Sequence, residues 1–163
     1  MLERNLTVAA LFARSDIQFT IDICKRRLGL LTSYKYNIEV KPPFYLYSKV
    51  LILNERIDNL KLLNNLLHAA VGMLKEKYKN FIKLVYFQRL PKEEIMRCLD
   101  IDAVKYRNYK RAAIEKLSLY LHIFGLTNEK FYKIFNEEPL LVRCYENVLE
   151  FAQKTNNIGR MRV

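Results

Sequence analysis

The most informative part of the chain is Leu74–Leu121, LKEKYKNFIKLVYFQRLPKEEIMRCLDIDAVKYRNYKRAAIEKLSLYL. Within it, Lys92–Leu99 carries apolar residues on one side of a helix barely two turns long. Pro91 suits the first turn of that helix, where a missing N–H costs nothing. The chain then turns at Asp100, and Asp102 is placed to cap a longer helix by accepting a hydrogen bond from its free backbone amides. Two helices joined by so short a turn predict a helix-turn-helix.

The second of these helices, from Ala103 onward, divides into two sides at 100° per residue. Its apolar side consists of Tyr106, Tyr109, Ala113, Leu117 and Tyr120. Its polar side consists of Val104, Asn108, Arg111 and Glu115, flanked by Lys105 and Arg107. Arginine and asparagine suit the major-groove edges of guanine and adenine, so the pattern is typical of a DNA-recognition helix. The alternative is an ordinary amphipathic helix with a solvated basic face.

Eight residues of this region are predicted to contact DNA. The side chains assigned to the major groove are Lys105, Arg107, Asn108 and Arg111, with Tyr106 included beside them. The side chains assigned to phosphates are Lys92, Lys110 and Lys116. Lys110 interrupts the apolar side of the helix, so its stem is expected to lie along the core while its ammonium group reaches toward phosphate.

The overall composition supports a polyanionic partner. The chain has 163 residues, with 28 Lys and Arg against 17 Asp and Glu and a formal net charge of +11. About half of it is apolar, so a buried core is expected. Nucleic acid is the leading candidate partner, because phosphate neutralisation by Lys and Arg supplies most sequence-independent affinity. No apolar run approaches the roughly 20 residues that cross a bilayer, and a cytoplasmic protein without membrane contact is predicted.

No site of catalysis or metal binding stands out in the sequence. It contains no glycine-rich phosphate loop, no nucleophile elbow and no cluster of metal ligands. Cys24, Cys98 and Cys144 are widely spaced in apolar helical patterns and are interpreted as small buried residues. We therefore expect no metal, no cofactor and no enzymatic activity.

The first 47 residues are predicted to form helices and a connector. Ser15 opens a capping-box pattern that indicates a helix start, and Gly29 stands where a C-cap glycine would end a helix of about 13 residues. Apolar residues alternate with polar ones near residues 34–43, which predicts a short extended connector closed by Pro42-Pro43.

A long helix is predicted from Ser48 to Gly72. Branched residues and Asn64 share one heptad position and leucines share another, a pattern that resembles a parallel two-stranded coiled coil. Further apolar residues make the apolar face of this helix wider than the contact face of a coiled coil, which favours a helix buried within a bundle. These residues are Leu51, Ile52, Leu62, Leu63 and Leu66. Homodimerisation through the Asn64 face stays open as the alternative.

Two more helices are predicted beyond Gly125. Thr127 is placed to cap the first, and Pro139 begins the second. The expected buried face of the second includes Leu140 or Leu141, Cys144, Val148 and Phe151, and the tail from Thr155 is expected to fray. The chain is thus predicted to be an all-α helical bundle. Its segments are residues 1–47, residues 48–124 with the helix-turn-helix, and residues 125–163.

Residues 66–117 resemble the fourth domain of bacterial sigma factors. The matching motifs are Tyr86-Phe87, Leu90, Glu93-Glu94-Ile95, Leu99-Asp100-Ile101 and the basic helix of residues 105–116. Within that group the likeness is closer to phage and prophage late-transcription activators of the ArpU and RinA type. Their recognition helices are rich in Tyr, Arg and Lys ahead of an Ala-Leu-x-Lys-Leu ending, which residues 105–117 resemble.

The resemblance implies a sequence-specific regulator that binds double-stranded DNA. It implies an activator that works with bacterial RNA polymerase in the cytoplasm of the host cell, associated with the nucleoid. Asp100 and Asp102 depart from the family's Gly and Ser, and a carboxylate there repels a nearby phosphate. The flanking segments do not look like a promoter-melting domain, so an accessory regulator is favoured over a complete sigma factor.

Two other functions compete with sequence-specific DNA binding. One is a protein-interaction module that docks RNA polymerase or another regulator with little DNA contact. The other is a basic surface that binds RNA or membrane without sequence preference.

Overall fold

The computed structural model describes residues 2–33 and 43–160. The helices are α1 (Arg4–Thr32), α2 (Pro43–Gly72), α3 (Glu76–Ile82), α4 (Lys92–Leu99), α5 (Ala103–Ile123), α6 (Asn128–Phe135) and α7 (Pro139–Arg160). A π-helical turn, Lys83–Phe87, continues α3. No strand occurs within the two described ranges, and the all-α prediction is confirmed. Most of the predicted connector, residues 34–42, lies outside them.

Helix α1 is one long helix, and the predicted start at Ser15 is wrong. Ser15 lies in its middle, where its hydroxyl donates a hydrogen bond to the Phe12 carbonyl at 3.3 Å. A serine inside a helix can bond back to the preceding turn, so the capping pattern does not by itself begin a helix. Ala9 and Ala10 are fully buried helix formers that carry the helix through this region. Gly29 does not end α1, which continues to Thr32.

Helix α1 contacts α2, α5, α7 and the π-helical turn, so it stands at the centre of the bundle. Its buried side chains belong to the same hydrophobic cluster as those of α2, α5 and α7. The main chain before α1 is tied down as well: the Ser118 hydroxyl donates to the Leu2 carbonyl, and the Glu3 amide donates to Asn128 Oδ1 at 2.7 Å. The three segments predicted from the sequence therefore share one core.

Helix α2 begins at Pro43, five residues before the predicted start, and ends at Gly72 as predicted. Proline is favoured at a first helical position because its φ is already helical. The face buried in the core comprises Ile57, Leu60, Leu63, Leu67, Ala70 and Val71. Several of these residues occupy the two predicted heptad positions. The predicted coiled-coil face therefore packs within the chain's own bundle.

The wider apolar stripe of α2 is only partly buried. Leu63 is fully buried and Leu66 is half-buried, whereas Leu51, Ile52 and Leu62 are exposed. The predicted burial of the last three is therefore wrong. The bundle covers one side of α2, and these residues lie away from that side.

The C-terminal helices follow the predicted caps. The Lys130 amide donates to the Thr127 hydroxyl at 3.2 Å at the start of α6, and Pro139 begins α7. Leu140, Leu141 and Cys144 are buried in the core, whereas Phe151 is 69% exposed, against prediction. Helix α7 extends to Arg160, so the tail that was predicted to fray from Thr155 is helical as far as that residue.

The predicted burial of the cysteines is confirmed for Cys24 and Cys144 and wrong for Cys98. Cys98 lies on the exposed side of α4, while Ile95 of the same helix is buried. A two-turn helix packs only a narrow stripe against its neighbours, so most of α4 faces solvent.

Candidate nucleic-acid interface

The turn between α4 and α5 is a Schellman motif followed by an N-cap. The Ile101 amide donates to the Met96 carbonyl at 3.0 Å, and the Asp100 amide donates to the Arg97 carbonyl at 3.3 Å. The Asp102 carboxylate accepts from the Lys105 amide at 2.6 Å, which confirms the predicted cap. The two helices therefore meet through a short, internally bonded turn, as the helix-turn-helix pattern predicts.

Aromatic packing sets the rotation of α5 about its axis. The Phe81 and Tyr106 rings stand edge to face with centroids 5.2 Å apart, and the Tyr78 and Tyr109 rings do so at 5.7 Å. Deeper along the same side, Ala113 and Leu117 are fully buried. The predicted apolar side of α5 is therefore its packed side, and the opposite side faces solvent.

A row of four exposed side chains runs along the first half of α5. We call it the α5 row, and it consists of Lys105, Arg107, Asn108 and Arg111. Lys92 on α4 and Lys116 further along α5 are exposed as well. The structure thus leaves six of the eight predicted DNA contacts accessible to a partner.

Tyr106 and Lys110 are placed differently from the other six. Tyr106 is half-buried against Phe81, with the Lys92 ammonium 5.7 Å from its ring centroid, and burial raises the pKa of its hydroxyl. Lys110 is also half-buried and lines a cavity on the packed side of α5. Burial, helped by the nearby Arg4, lowers the pKa of the Lys110 ammonium. Both side chains contact the protein's own interior.

Acidic residues stand close to the α5 row. Glu93, Glu94, Asp100 and Asp102 are all exposed around the turn, where they offset part of the positive charge. A shallow depression at the turn is lined by both signs of charge, including Arg97, Asp100 and Lys105. These carboxylates therefore disfavour a phosphate at the turn itself.

Two further cations lie near the interface and were not singled out from the sequence. Arg97 is exposed at the end of α4 and lines the depression at the turn. Lys77 of α3 is exposed, with its ammonium 5.4 Å from the Tyr109 ring centroid. The alternating lysines at the start of α3, Lys75, Lys77 and Lys79, were the available signal for Lys77, but only the tertiary packing brings it beside α5.

The described ranges contain no group of three or more His, Cys, Asp or Glu side chains that could hold a metal ion. Nor does any helix of those ranges have the length and apolar character to span a membrane.

The Asp100 backbone offers a direct test of the turn. Asp100 has φ of 50°, and the matching Schellman position after α5 is held by Gly125 with φ of 84°. A Cβ is disfavoured in this region, so Asp100→Gly is expected to raise the free energy of unfolding by about 0.5–1 kcal/mol. Urea denaturation measures the change. Asp100→Asn removes the same charge and tolerates the same backbone conformation, so it is the control. An increase in the free energy of unfolding from Asp100→Asn equal to that from Asp100→Gly would contradict the backbone explanation.

Comparison of the chain with protein-family models, curated proteins and solved structures found no match. The resemblance to the fourth domain of sigma factors therefore stays a prediction. What the structure contributes is the geometry of α4, the turn and α5: a capped, packed helix that presents a basic row to solvent.

Proposed function

We propose that the chain is a sequence-specific regulator of transcription that binds double-stranded DNA through the α5 row. The observation that carries the proposal is that this row lies exposed on a helix whose opposite side packs against the bundle. A helix presented in this way after a short turn fits the major groove with its N-terminal residues against the bases.

The row contains the side-chain types that discriminate bases. Arginine can donate two hydrogen bonds to guanine O6 and N7, and asparagine can pair in the same way with adenine N6 and N7. Arg107, Asn108 and Arg111 are assigned these roles, with Lys105 beside them. Lys92 and Lys116 flank the row and are assigned to phosphates, where a lysine acts as a point charge.

The resemblance to phage activators extends the proposal to partners. On that basis the regulator is an activator that works with bacterial RNA polymerase in the bacterial cytoplasm. It acts by binding, without catalysis or a cofactor. The exposed acids around the turn make close phosphate contact there unfavourable, so docking through the middle of α5 is favoured over docking through the turn.

The assignment of roles predicts different losses for two substitutions. Selection from a random duplex pool first gives the preferred sequence. Arg111→Ala is then expected to cost about 1–3 kcal/mol on that sequence and to relax preference at one position, whereas Lys92→Ala weakens all sequences alike. Binding titrations by fluorescence anisotropy measure both effects.

Arg26→Ala is the matched control for the Arg111 substitution. Arg26 is exposed near the end of α1, so its removal takes away the same charge at a site outside the proposed interface. Sequence preference is expected to survive it. Equal losses on every sequence for Arg111→Ala and Lys92→Ala would contradict the division into base and phosphate contacts.

A second candidate function is a protein-interaction module that docks RNA polymerase or another regulator. It is favoured by the exposed acids around the turn and by two exposed apolar residues on the solvent side of α5, Val104 and Leu119. Salt separates the two functions, because binding through several phosphates weakens steeply as salt rises. Absence of any salt-dependent duplex binding would favour the protein partner.

A further inference from the structure

A cavity of about 520 Å³ lies between α1, the end of the π-helical turn, α5 and α7. Its apolar wall includes Val8 and Phe12 of α1 and Val148 of α7. Its volume is within the range of about 300–1,000 Å³ that is usual for small-molecule sites. Lys110 is the residue of α5 that lines the cavity, and no residue of the α5 row does so.

Three cationic side chains line this cavity together with a single acid. The cations are Lys110, Arg89 and Arg143, and the acid is Asp16. Asp16 Oδ2 lies 3.6 Å from Arg89 Nη2 and 4.0 Å from Arg143 Nη2. Within the described part of the chain Lys110 forms no ion pair. Two positive charges are therefore left without a matching acid at the cavity.

The backbone of Arg89 is held in an unfavourable conformation beside the cavity. Its φ is 53°, a left-handed value that a non-glycine residue adopts at a cost. Its guanidinium is fixed by hydrogen bonds from Nη2 to the Ser15 hydroxyl at 2.5 Å and to the Phe12 carbonyl at 3.4 Å. The packing around α1 thus keeps a strained arginine at the rim.

Two polar groups of the cavity wall lack partners inside the described chain. Tyr86 is 1% exposed, and its hydroxyl is buried without a hydrogen bond. The Lys110 ammonium is half-buried, and burial together with nearby Arg4 lowers its pKa. Buried polar groups are normally paired, so the unpaired Tyr86 hydroxyl in the cavity wall indicates a site for a polar group of a ligand.

We propose that this cavity binds a monocarboxylate with an apolar body. The carboxylate would accept hydrogen bonds from Lys110 and from Arg143, whose planar fork matches two carboxylate oxygens, since Arg89 Nη2 already donates to Ser15 and Phe12. The apolar body would lie against Val8, Phe12 and Val148. A neutral ligand would leave both excess positive charges unmatched, whereas a carboxylate matches one of them and leaves the rest of the ligand to cover the apolar walls.

Occupancy of the cavity would join α1, α5 and α7 through one ligand, since each helix contributes lining residues. Such a ligand is distinct from the proposed DNA partner, because the α5 row proposed to meet DNA contributes no residue to the cavity wall. Binding of the carboxylate therefore does not depend on DNA binding, and each can be measured without the other.

The test uses the full chain with hexanoate, octanoate and decanoate below micelle-forming concentrations. Thermal unfolding and isothermal titration calorimetry are the measurements. All three are expected to raise the unfolding temperature, with affinity rising about fourfold per added methylene. 1-Decanol, which lacks the carboxylate, is expected to bind at least roughly tenfold more weakly than decanoate.

Lys110→Met separates a ligand role from a structural one. Because the folded protein holds this lysine where its charged form is disfavoured, removing the charge is expected to raise the unfolding temperature of the free protein. The same substitution is expected to weaken decanoate binding at least roughly tenfold. Arg143→Met, at a more exposed position, is expected to weaken binding without a change in folding.

Lys116→Met is the matched control, because Lys116 is exposed on the same helix and outside the cavity. Decanoate affinity is expected to be unchanged in that variant. The proposal is overturned if none of the three carboxylates stabilises the protein, if 1-decanol binds as tightly as decanoate, or if Lys110→Met leaves decanoate affinity intact.

Discussion

Replacing Leu117 with alanine is expected to lower the free energy of unfolding by about 2–5 kcal/mol. Leu117 is fully buried on the packed side of α5 and belongs to the central hydrophobic cluster. The substitution removes three buried carbon atoms and leaves a cavity that the surrounding helices cannot wholly close. Urea denaturation followed by circular dichroism measures the loss.

Leu119→Ala is the control for this prediction. Leu119 lies two residues along the same helix and is 45% exposed, so its truncation is expected to change stability by no more than about 0.5 kcal/mol. Equal losses at the two positions would mean that α5 is rotated differently from the structure. The α5 row would then lose its exposed position, and with it the main support for DNA binding.

Glu138→Gln is expected to destabilise the protein by roughly 2–3 kcal/mol, below the 3–5 kcal/mol typical when one partner of a fully buried ion pair is removed. Arg56 Nε and Nη2 donate to the two oxygens of Glu138 at 2.7 and 2.8 Å. The side chain of Glu138 is 6% exposed and that of Arg56 is 24% exposed, so Arg56 can recover some hydration. Denaturant titration near neutral pH gives the change.

The physical reason is that glutamine keeps the shape of Glu138 but leaves the Arg56 charge without its counter-ion. Glu137→Gln, one residue earlier and exposed, is the matched control and is expected to be nearly neutral. Replacing both partners together, Arg56→Met with Glu138→Leu, is expected to lower the free energy of unfolding less than Glu138→Gln alone. A double variant that is destabilised at least as much as Glu138→Gln would contradict the unpaired-charge explanation.

Local signals in the sequence predicted the elements around the helix-turn-helix well. Asp102 and Thr127 cap helices as predicted, because a side chain that accepts from an amide three residues on acts within one turn. The two sides of α5 were also predicted, since helical periodicity alone decides which residues share a face. The end of α2 at Gly72 belongs to the same class of local prediction.

Predictions failed where neighbours in space override local preference. Ser15 looks like a helix start, yet α1 continues through it because both flanking stretches bury apolar residues in one core. Phe151 follows the spacing of the buried residues of α7 but is 69% exposed at the cavity between α1, α5 and α7. Periodicity predicts which residues share one face of a helix, but it does not predict how much of that face other helices cover.

By itself the sequence determined the all-α class, the short turn between α4 and α5 with its Asp102 cap, and the basic side of α5, because these depend on residues within a few turns of each other. Only the tertiary structure decided that Lys110 turns inward, that Arg56 pairs with Glu138, and that a charged cavity forms between α1, α5 and α7. Those features join residues tens of positions apart, and their proximity follows from how whole helices pack.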